Sequence, residues 1–299
     1  MALLKGEEYV KTAIVSGASG FVGCHLVREL CAMGVEVTAF CRRESQNLER
    51  VPNGINIAYS IDELPRADVF YHLAWDQASG PGRENAVIQS QNATMTLELL
   101  HAAHTMGARF VVLGTVYERF AENIMQSSKF SGSDFYILAK HFAHTMSKQL
   151  AFKLGIELVW CQICHPIGQY IKPEQLMSYT VSGLLRGDAP SYGPAISLYD
   201  ILAVEDVAWG LYLIGNCKNA RDNYYIGSGK PLLLREYLEN TRRILRVETP
   251  VLINRRPDDG LRFERDWFDI TALQKDTDYN PTISFERAVW NVADWVGEQ

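Results

Sequence analysis

The sequence lacks any apolar run that approaches the ~18 residues a membrane helix needs, and it has no excess of positive charge. Residues 1–12 carry Lys5, Glu7, Glu8 and Lys11 and lack the apolar core of a signal peptide. The net charge is −6, which disfavours a surface for nucleic acid or for an anionic membrane. We therefore expect a cytoplasmic protein with no nucleic-acid partner and no membrane association.

The cysteines also lack the spacing of a metal site. The chain has six cysteines, and Cys161 and Cys164 form a single CxxC pair. That pair lies in the apolar run Ile156–Cys164 and has no second pair at metal-binding spacing. We interpret both cysteines as buried strand residues and predict no metal.

The first half of the chain alternates short apolar runs with longer segments of helical periodicity. This alternation predicts an α/β fold, a doubly wound parallel Rossmann sheet covered by helices on both faces. The predicted strands are Thr12–Ser16, Val35–Cys41, Ile55–Tyr59, Asp68–Ala74, Phe110–Leu113 and Ile156–Cys164. The predicted helices are Val22–Met33, Gln89–Met106 and Asp134–Leu154.

After Cys164 the alternation breaks, and prolines and glycines punctuate the chain. A strand at Asn223–Ile226 and helices at Leu233–Ile244 and Phe285–Trp295 follow. We predict a dinucleotide-binding domain over residues 1–165. Residues 166–299 form a smaller mixed α/β substrate-binding lobe in this prediction, and part of that segment returns to the main sheet.

Three glycines, Gly17, Gly20 and Gly23, lie between the first strand and the first helix. In that context they permit a tight turn, a close approach of the backbone to a pyrophosphate, and close packing of helix on sheet. We predict that this turn binds the cofactor phosphates, together with its other members Ser19, Phe21 and Val22. The alternative is an ordinary bend between a strand and a helix.

The second strand ends in Arg42 and Arg43, with no acid before Glu44. A site for NAD places an acid here to hold the ribose hydroxyls, whereas guanidinium groups suit the 2′-phosphate of NADP. The sequence therefore favours NADP over NAD. The alternative is that both arginines belong to a solvated loop tip.

Among 14 tyrosines, only Tyr136 is followed by a lysine four residues later, Lys140. Helical spacing puts both side chains on one face. Carbonyl reduction by hydride needs a proton donor, and a nearby ammonium lowers the pKa of a phenol. We predict that Tyr136 donates the proton and that Lys140 tunes it and holds the nicotinamide ribose. The alternative is that Tyr136 and Lys140 are an exposed pair of residues one helical turn apart.

Together these segments resemble the extended short-chain dehydrogenase/reductase family, over nearly the whole chain. Within it, the sequence is similar to the nucleotide-sugar epimerase, dehydratase and 4-ketoreductase branch, including CDP-abequose synthase-like reductases. The segments that carry the resemblance are SGASGFVG, DVFYHLA followed by Trp75, QNATMTLELL, YILAK, HPIG, ILAVEDVAWG, NRRPDD and FDITALQK.

The resemblance implies roles for further residues. Contact with the cofactor is implied for Ser60, Ile61, Leu73, Ala74, Trp75, Asn92 and His165. Contact with the substrate is implied for Trp75, Thr115, His165, Arg256 and Asp258, with Arg256 holding a diphosphate oxygen. The family has a catalytic Ser or Thr four residues before a tyrosine at the end of the fifth strand. Here the residue four before Tyr117 is Leu113, so we expect a shortened turn to bring Thr115 into place. The resemblance also implies a homodimer formed through a four-helix bundle.

Three functions follow from these observations. The first is NADPH-dependent reduction of a nucleotide-diphosphate keto sugar, with a 4-keto-6-deoxy sugar as the expected substrate. The second is a nucleotide-sugar epimerase with tightly bound NAD, which Arg42 and Arg43 disfavour. The third is a non-catalytic NADP-binding regulatory protein, which would not need the Tyr136–Lys140 pair.

Overall fold

The computed structural model describes residues 10–298. The strands, β1 to β11 in chain order, are Thr12–Ser16, Glu36–Phe40, Asn56–Ala58, Val69–His72, Arg109–Thr115, Leu158–Ile163, His165–Ile167, Leu198–Tyr199, Ile201–Ala203, Asn223–Tyr225 and Leu232–Leu233. The helices, α1 to α9, are Phe21–Ala32, Ala86–Met106, Ala121–Gln126, Asp134–Leu154, Leu176–Arg186, Val204–Asn216, Leu234–Leu245, Thr271–Thr277 and Phe285–Gly297. Short 3₁₀ turns at Gly80–Glu84 and Val116–Phe120 flank the predicted site.

The main sheet has seven strands within residues 10–298, in the order β10-β6-β5-β4-β1-β2-β3. All the pairings in this sheet are parallel. The chain moves outward from β1 through β2 to β3, then crosses back to β4 on the other side of β1. In such sheets, ligands bind where the winding reverses, at the carboxyl ends of the strands. Here that crevice lies beyond Ser16 and His72.

Successive residues of the central strands bury their side chains on opposite faces of the sheet. Ile14 packs in one apolar layer with Phe70, Phe110 and Trp160, on the face that carries α2 and α4. Val15 packs in the other layer, on the face covered by α1 and α6. Burial on both faces explains why these strands appear in the sequence as continuous apolar runs.

The predicted fold class is confirmed, with shifts at some element ends. Helix α4 has the predicted bounds, Asp134–Leu154, whereas β5 continues two residues past Leu113 to Thr115. Strand β10 pairs with β6 and therefore joins the main sheet from the second half of the chain. The small pairs β7–β9 and β8–β11 form outside the main sheet. The proposed domain division at residue 165 stays a prediction.

Within residues 10–298, no helix combines the length and the apolar character needed to cross a membrane. The expectation that residues 1–12 do not form a signal peptide falls mainly on residues 1–9, which lie outside the described residues.

Candidate active site

The turn between β1 and α1 leaves no room for side chains at its glycines. Gly17 has a φ of +74°, and a Cβ added there would lie 2.8 Å from the backbone nitrogen of Ala74. A Cβ on Gly23 would lie 2.1 Å from the Gly17 carbonyl oxygen. The first turn of α1 has no side-chain cap at Gly20. This open, positively polarised helix start fits a dinucleotide pyrophosphate, and Ser19, Phe21 and Val22 lie in the same turn.

The ends of β1 and β4 are joined beside this turn by a buried histidine. His72 Nδ1 shares a hydrogen bond of 2.7 Å with Ser16 Oγ, and Nε2 lies 3.0 Å from Thr96 Oγ1. Burial lowers the pKa of His72 to about 3, and the charge of Lys140 lowers it further. His72 is therefore a neutral structural residue that fixes the segment Leu73–Trp75 against the glycine turn.

The end of β2 places Arg42 and Arg43 at the surface. Arg42 Nη1 lies 3.3 Å from Asp76 Oδ2, and Arg43 Nη2 lies 3.1 Å from Glu63 Oε1. The Arg43 guanidinium also lies 4.8 Å from the ring centroid of Tyr59. Ser60 and Ile61, predicted to contact adenine, lie in the turn that follows β3. Both arginines thus have weak, exposed ion pairs that a phosphate could replace.

The three predicted catalytic residues are buried and adjacent. The Thr115 side chain lowers the pKa of the Tyr136 phenol, and its Oγ1 accepts a 3.3 Å hydrogen bond from the Tyr117 nitrogen; the catalytic role of Thr115 stays a prediction. Burial raises the pKa of Tyr136, and this effect is opposed by Arg83 and by Thr115. Lys140 Nζ donates a 2.9 Å hydrogen bond to the Leu113 carbonyl oxygen. The same ammonium lies 3.7 Å from the ring centroid of Trp75.

Burial lowers the pKa of Lys140 to about 7, while Glu118 raises it and Arg83 lowers it. The sequence prediction had the Lys140 ammonium tune Tyr136. In the structure this ammonium contacts Leu113 and Trp75, and the Arg83 guanidinium lies 4.3 Å from the Tyr136 ring centroid. The tuning of Tyr136 by Lys140 stays a prediction.

Glu118 is a buried carboxylate that the sequence analysis did not assign to the site. It accepts hydrogen bonds from Trp160 Nε1 at 3.1 Å and from Gln162 Nε2 at 2.5 Å. His144 Nδ1 lies 2.8 Å from its Oε1. The available signal was an acid three residues after Thr115 and a histidine four residues after Lys140.

The loop between β4 and α2 carries Arg83, a second residue that the sequence analysis missed. The Asn92 amide donates to the Asp76 carbonyl oxygen at 2.9 Å and accepts from the Asp76 nitrogen at 2.8 Å. Asn92 therefore holds the loop that carries Arg83, and its contact with the cofactor stays a prediction.

His165 begins β7 and faces the same cleft. Its Nε2 is buried and has no hydrogen-bond partner among residues 10–298. Burial lowers the pKa of His165 to about 4, and the charge of Arg83 acts in the same direction. The ring lies 6.2 Å from that of Tyr199, edge to face. A neutral imidazole with a free nitrogen can bind a ligand hydroxyl, so the predicted roles of His165 fit this position.

Arg256 and Asp258 have no hydrogen bond or ion pair with Thr115, Tyr136 or Lys140 in the described part of the chain. Arg256 donates to Ser191 Oγ at 3.2 Å and to the Tyr179 hydroxyl at 3.0 Å, and it covers the Tyr179 ring. Asp258 forms an ion pair with Arg262 and accepts from the Gly260 nitrogen at 3.0 Å. The structure thus gives Asp258 its own cation, and Arg256 keeps an exposed guanidinium for an anion.

No group of three or more His, Cys, Asp or Glu side chains in the described part of the chain could hold a metal ion. Cys161 and Cys164 are both buried, and burial raises the pKa of each thiol.

Comparison with known proteins identifies the class. Residues 13–227 match the model of the NAD dependent epimerase/dehydratase family, and the chain belongs to that family. It is an enzyme of the extended short-chain dehydrogenase/reductase type that uses a nicotinamide cofactor, as the sequence predicted.

Two curated relatives and one solved structure illustrate the similarity. The chain is 21% identical to a dTDP-glucose 4,6-dehydratase of Haemophilus influenzae, over 94% of this chain and 96% of the relative. It is 24% identical to cinnamoyl-CoA reductase 1 of Oryza sativa subsp. japonica, over 70% of this chain and 69% of the relative. A UDP-N-acetylglucosamine 4-epimerase of Methanobrevibacter ruminantium M1, solved with UDP-N-acetylmuramic acid, superposes with a TM-score of 0.82 at 20% identity, covering 98% of this chain and 100% of that one.

Proposed function

We propose that the protein uses NADPH to reduce the ketone of a nucleoside-diphosphate keto sugar, a 4-keto-6-deoxy sugar in the simplest case. The observation that carries the proposal is the buried placement of Thr115, Tyr136 and Lys140, with the Lys140 ammonium bonded to β5 at Leu113 and the Thr115 side chain lowering the pKa of Tyr136. Thr115 ends β5, two strands from β1 and its glycine turn, and Tyr136 and Lys140 lie on α4. Relatives that act on dTDP-glucose and UDP-N-acetylglucosamine support a nucleotide-sugar substrate.

The residues divide the work of reduction among them. When bound, NADP(H) supplies the hydride. The Thr115 hydroxyl holds and polarises the substrate carbonyl oxygen, and Tyr136 Oη gives that oxygen its proton. Lys140 holds the nicotinamide ribose, and Trp75 covers the Lys140 ammonium. Arg256 binds the substrate diphosphate through its exposed guanidinium.

Two features favour reduction with NADPH over the other activities in the family. The end of β2 offers Arg42 and Arg43 with no acid between them and the strand, which suits a 2′-phosphate. Thr115 is followed by Val116 and Tyr117, so the loop lacks the acidic pair that elimination of water would use. The reductase from rice is a relative with the same direction of redox chemistry.

The test measures oxidation of NADPH and of NADH with 4-keto-6-deoxy sugars carried on CDP, dTDP, GDP and UDP. We expect turnover with NADPH on one nucleotide, and a loss of about 100-fold or more in kcat for Tyr136→Phe. Tyr170→Phe, outside the cleft, is the matched control. Interconversion of sugar epimers with no net NADPH use would establish the epimerase instead. Tight NADPH binding without turnover on any sugar would favour a regulatory protein.

A further inference from the structure

Arg83 covers the face of the predicted proton donor. It lies in the turn Gly80–Glu84 between β4 and α2, and its guanidinium carbon is 4.3 Å from the Tyr136 ring centroid. The same group lies 5.4 Å from the ring centroid of Tyr117. Its Nε donates a 2.7 Å hydrogen bond to the Ala78 carbonyl oxygen. The positive charge is therefore tied to its own loop and directed at the catalytic phenol.

The loop that carries Arg83 is held in place by buried bonds. Gln89, which is buried in α2, donates to the carbonyl oxygens of Gln77 at 3.2 Å and Gly82 at 3.0 Å. Its Oε1 accepts a 2.8 Å hydrogen bond from Trp75 Nε1. At Gly82, next to Arg83, an added Cβ would lie 2.0 Å from the Gln77 side chain. This packing fixes the backbone from which the arginine reaches Tyr136.

Three other polar or charged groups surround Tyr136. The Lys140 ammonium donates to the Leu113 carbonyl oxygen and lies over the Trp75 ring. Glu118, from the turn after β5, has a negative charge that disfavours a phenolate on Tyr136. Thr115 offers one neutral hydroxyl from the end of β5. In a buried site a phenolate is unstable unless a cation lies within about 4–6 Å, and Arg83 is the cation over this ring.

We propose that Arg83 provides the positive charge that stabilises the phenolate left on Tyr136 after its proton passes to the substrate carbonyl oxygen. In that step the Oη–H bond of Tyr136 breaks and a new O–H bond forms on the substrate, whose carbon receives the hydride. In this proposal Arg83 adds its positive charge to that of Lys140, which keeps both of its predicted roles. The inference rests on the proposed function only for the role of Tyr136 as proton donor.

The experiment follows the ionisation of Tyr136 directly and needs no substrate. The protein is labelled at its tyrosines with 3,5-difluorotyrosine, whose phenol ionises nearer neutrality, and the Tyr136 fluorine resonance is assigned from its absence in Tyr136→Phe. For Arg83→Met we expect the Tyr136 pKa to rise by about 1 unit or more. Arg83→Lys should restore at least half of that shift. Arg50→Met, which removes a guanidinium 5.0 Å from the Tyr170 ring, should leave Tyr136 unchanged.

An equal Tyr136 pKa in wild type and Arg83→Met, with both folded by circular dichroism, would overturn the inference. Arg83→Gln serves as the second neutral variant if the methionine variant does not fold. Once a substrate is known, the pH profile of kcat should move with the fluorine titration across the same variants. Failure of every keto sugar to react would defeat the proposed function and leave the titration result standing, so the two outcomes are distinguishable.

Discussion

The Glu118 carboxylate meets the His144 imidazole at 2.8 Å, one helical turn beyond Lys140. The imidazole stacks on the Trp160 ring at 4.4 Å, and the indole nitrogen donates to the same carboxylate. The turn after β5, the helix of the Tyr–Lys pair and strand β6 therefore converge on one buried acid. This convergence fixes the position of Thr115 relative to Tyr136.

We expect Glu118→Ala to lower the free energy of unfolding by about 3 kcal/mol, because it leaves the buried donors of Trp160 and Gln162 without an acceptor. Urea unfolding followed by tryptophan fluorescence measures the change. Glu122→Ala, which removes an exposed acid from α3, should change stability by less than about 0.5 kcal/mol. Equal stability of the two variants would show that the Glu118 bonds do not contribute net stability.

The elements that the sequence predicted well are those with a strong local signal. Local sequence alone predicts strand β1, the glycine turn and helix α4, because each depends on residues near in sequence. Arg83 has no such signal and Glu118 only a weak one, since a charged residue in a turn is usually solvated. Tertiary packing positions both: Gln89 holds the loop that carries Arg83, and Trp160 and Gln162 bury Glu118.

The direction of the Lys140 side chain shows a second limit of sequence reasoning. Spacing of four residues correctly placed Lys140 and Tyr136 on one helical face, and both are buried there. Spacing could not reveal that Trp75 and the Leu113 carbonyl would contact the ammonium, because these groups come from the loop after β4 and from β5. Helical periodicity predicts which residues share a face, and side-chain partners depend on the tertiary fold.

Replacing Arg42 and Arg43 together by alanine should raise the KM for NADPH about 100-fold or more and leave that for NADH nearly unchanged. The reason is that charge-assisted hydrogen bonds to a 2′-phosphate contribute about 1.5–3 kcal/mol each. Arg186→Ala, which removes an exposed arginine paired with Asp188, is the control. A parallel rise for both cofactors would indicate that the arginines do not read the 2′-phosphate.

His72 should make the protein sensitive to acid. Its pKa is about 3 in the folded state, against 6.5 for a free histidine. Between these values the unfolded chain binds one more proton than the folded protein, so stability falls as the pH drops through this window. The contribution of His72 is up to about 1.4 kcal/mol per pH unit.

We therefore expect His72→Gln to be less stable at neutral pH but to lose stability less steeply between pH 6.5 and 4. Urea unfolding at several pH values gives both slopes. His104→Gln, at an exposed position of α2, should keep the wild-type slope. If the His72 variant also keeps it, protonation of His72 is not linked to unfolding.

The outer faces of α2 and α4 carry apolar side chains that fit the proposed homodimer. Phe142 and Met146 lie one turn apart on α4 and are 50% and 42% exposed, and Val87 on the neighbouring helix α2 is 66% exposed. A groove along α2 is lined by Ala86, Val87, Ser90, Gln91, Thr94, Met95 and Glu98. Two copies related by a two-fold axis would bury these faces in a four-helix bundle.

We expect the wild-type protein to be a dimer by light scattering at micromolar concentration, and Phe142→Glu combined with Met146→Glu to be a monomer. The reason is that two carboxylates from each copy would have to be buried without partners. Leu185→Glu places the same charge on α5, which packs against α7 and α9 rather than on the proposed interface, and should stay dimeric. A monomeric wild type would remove the four-helix bundle. A dimeric double variant would show that the dimer interface does not include α4, because an interface that buries the α4 faces of both copies would be destabilised by the added carboxylates.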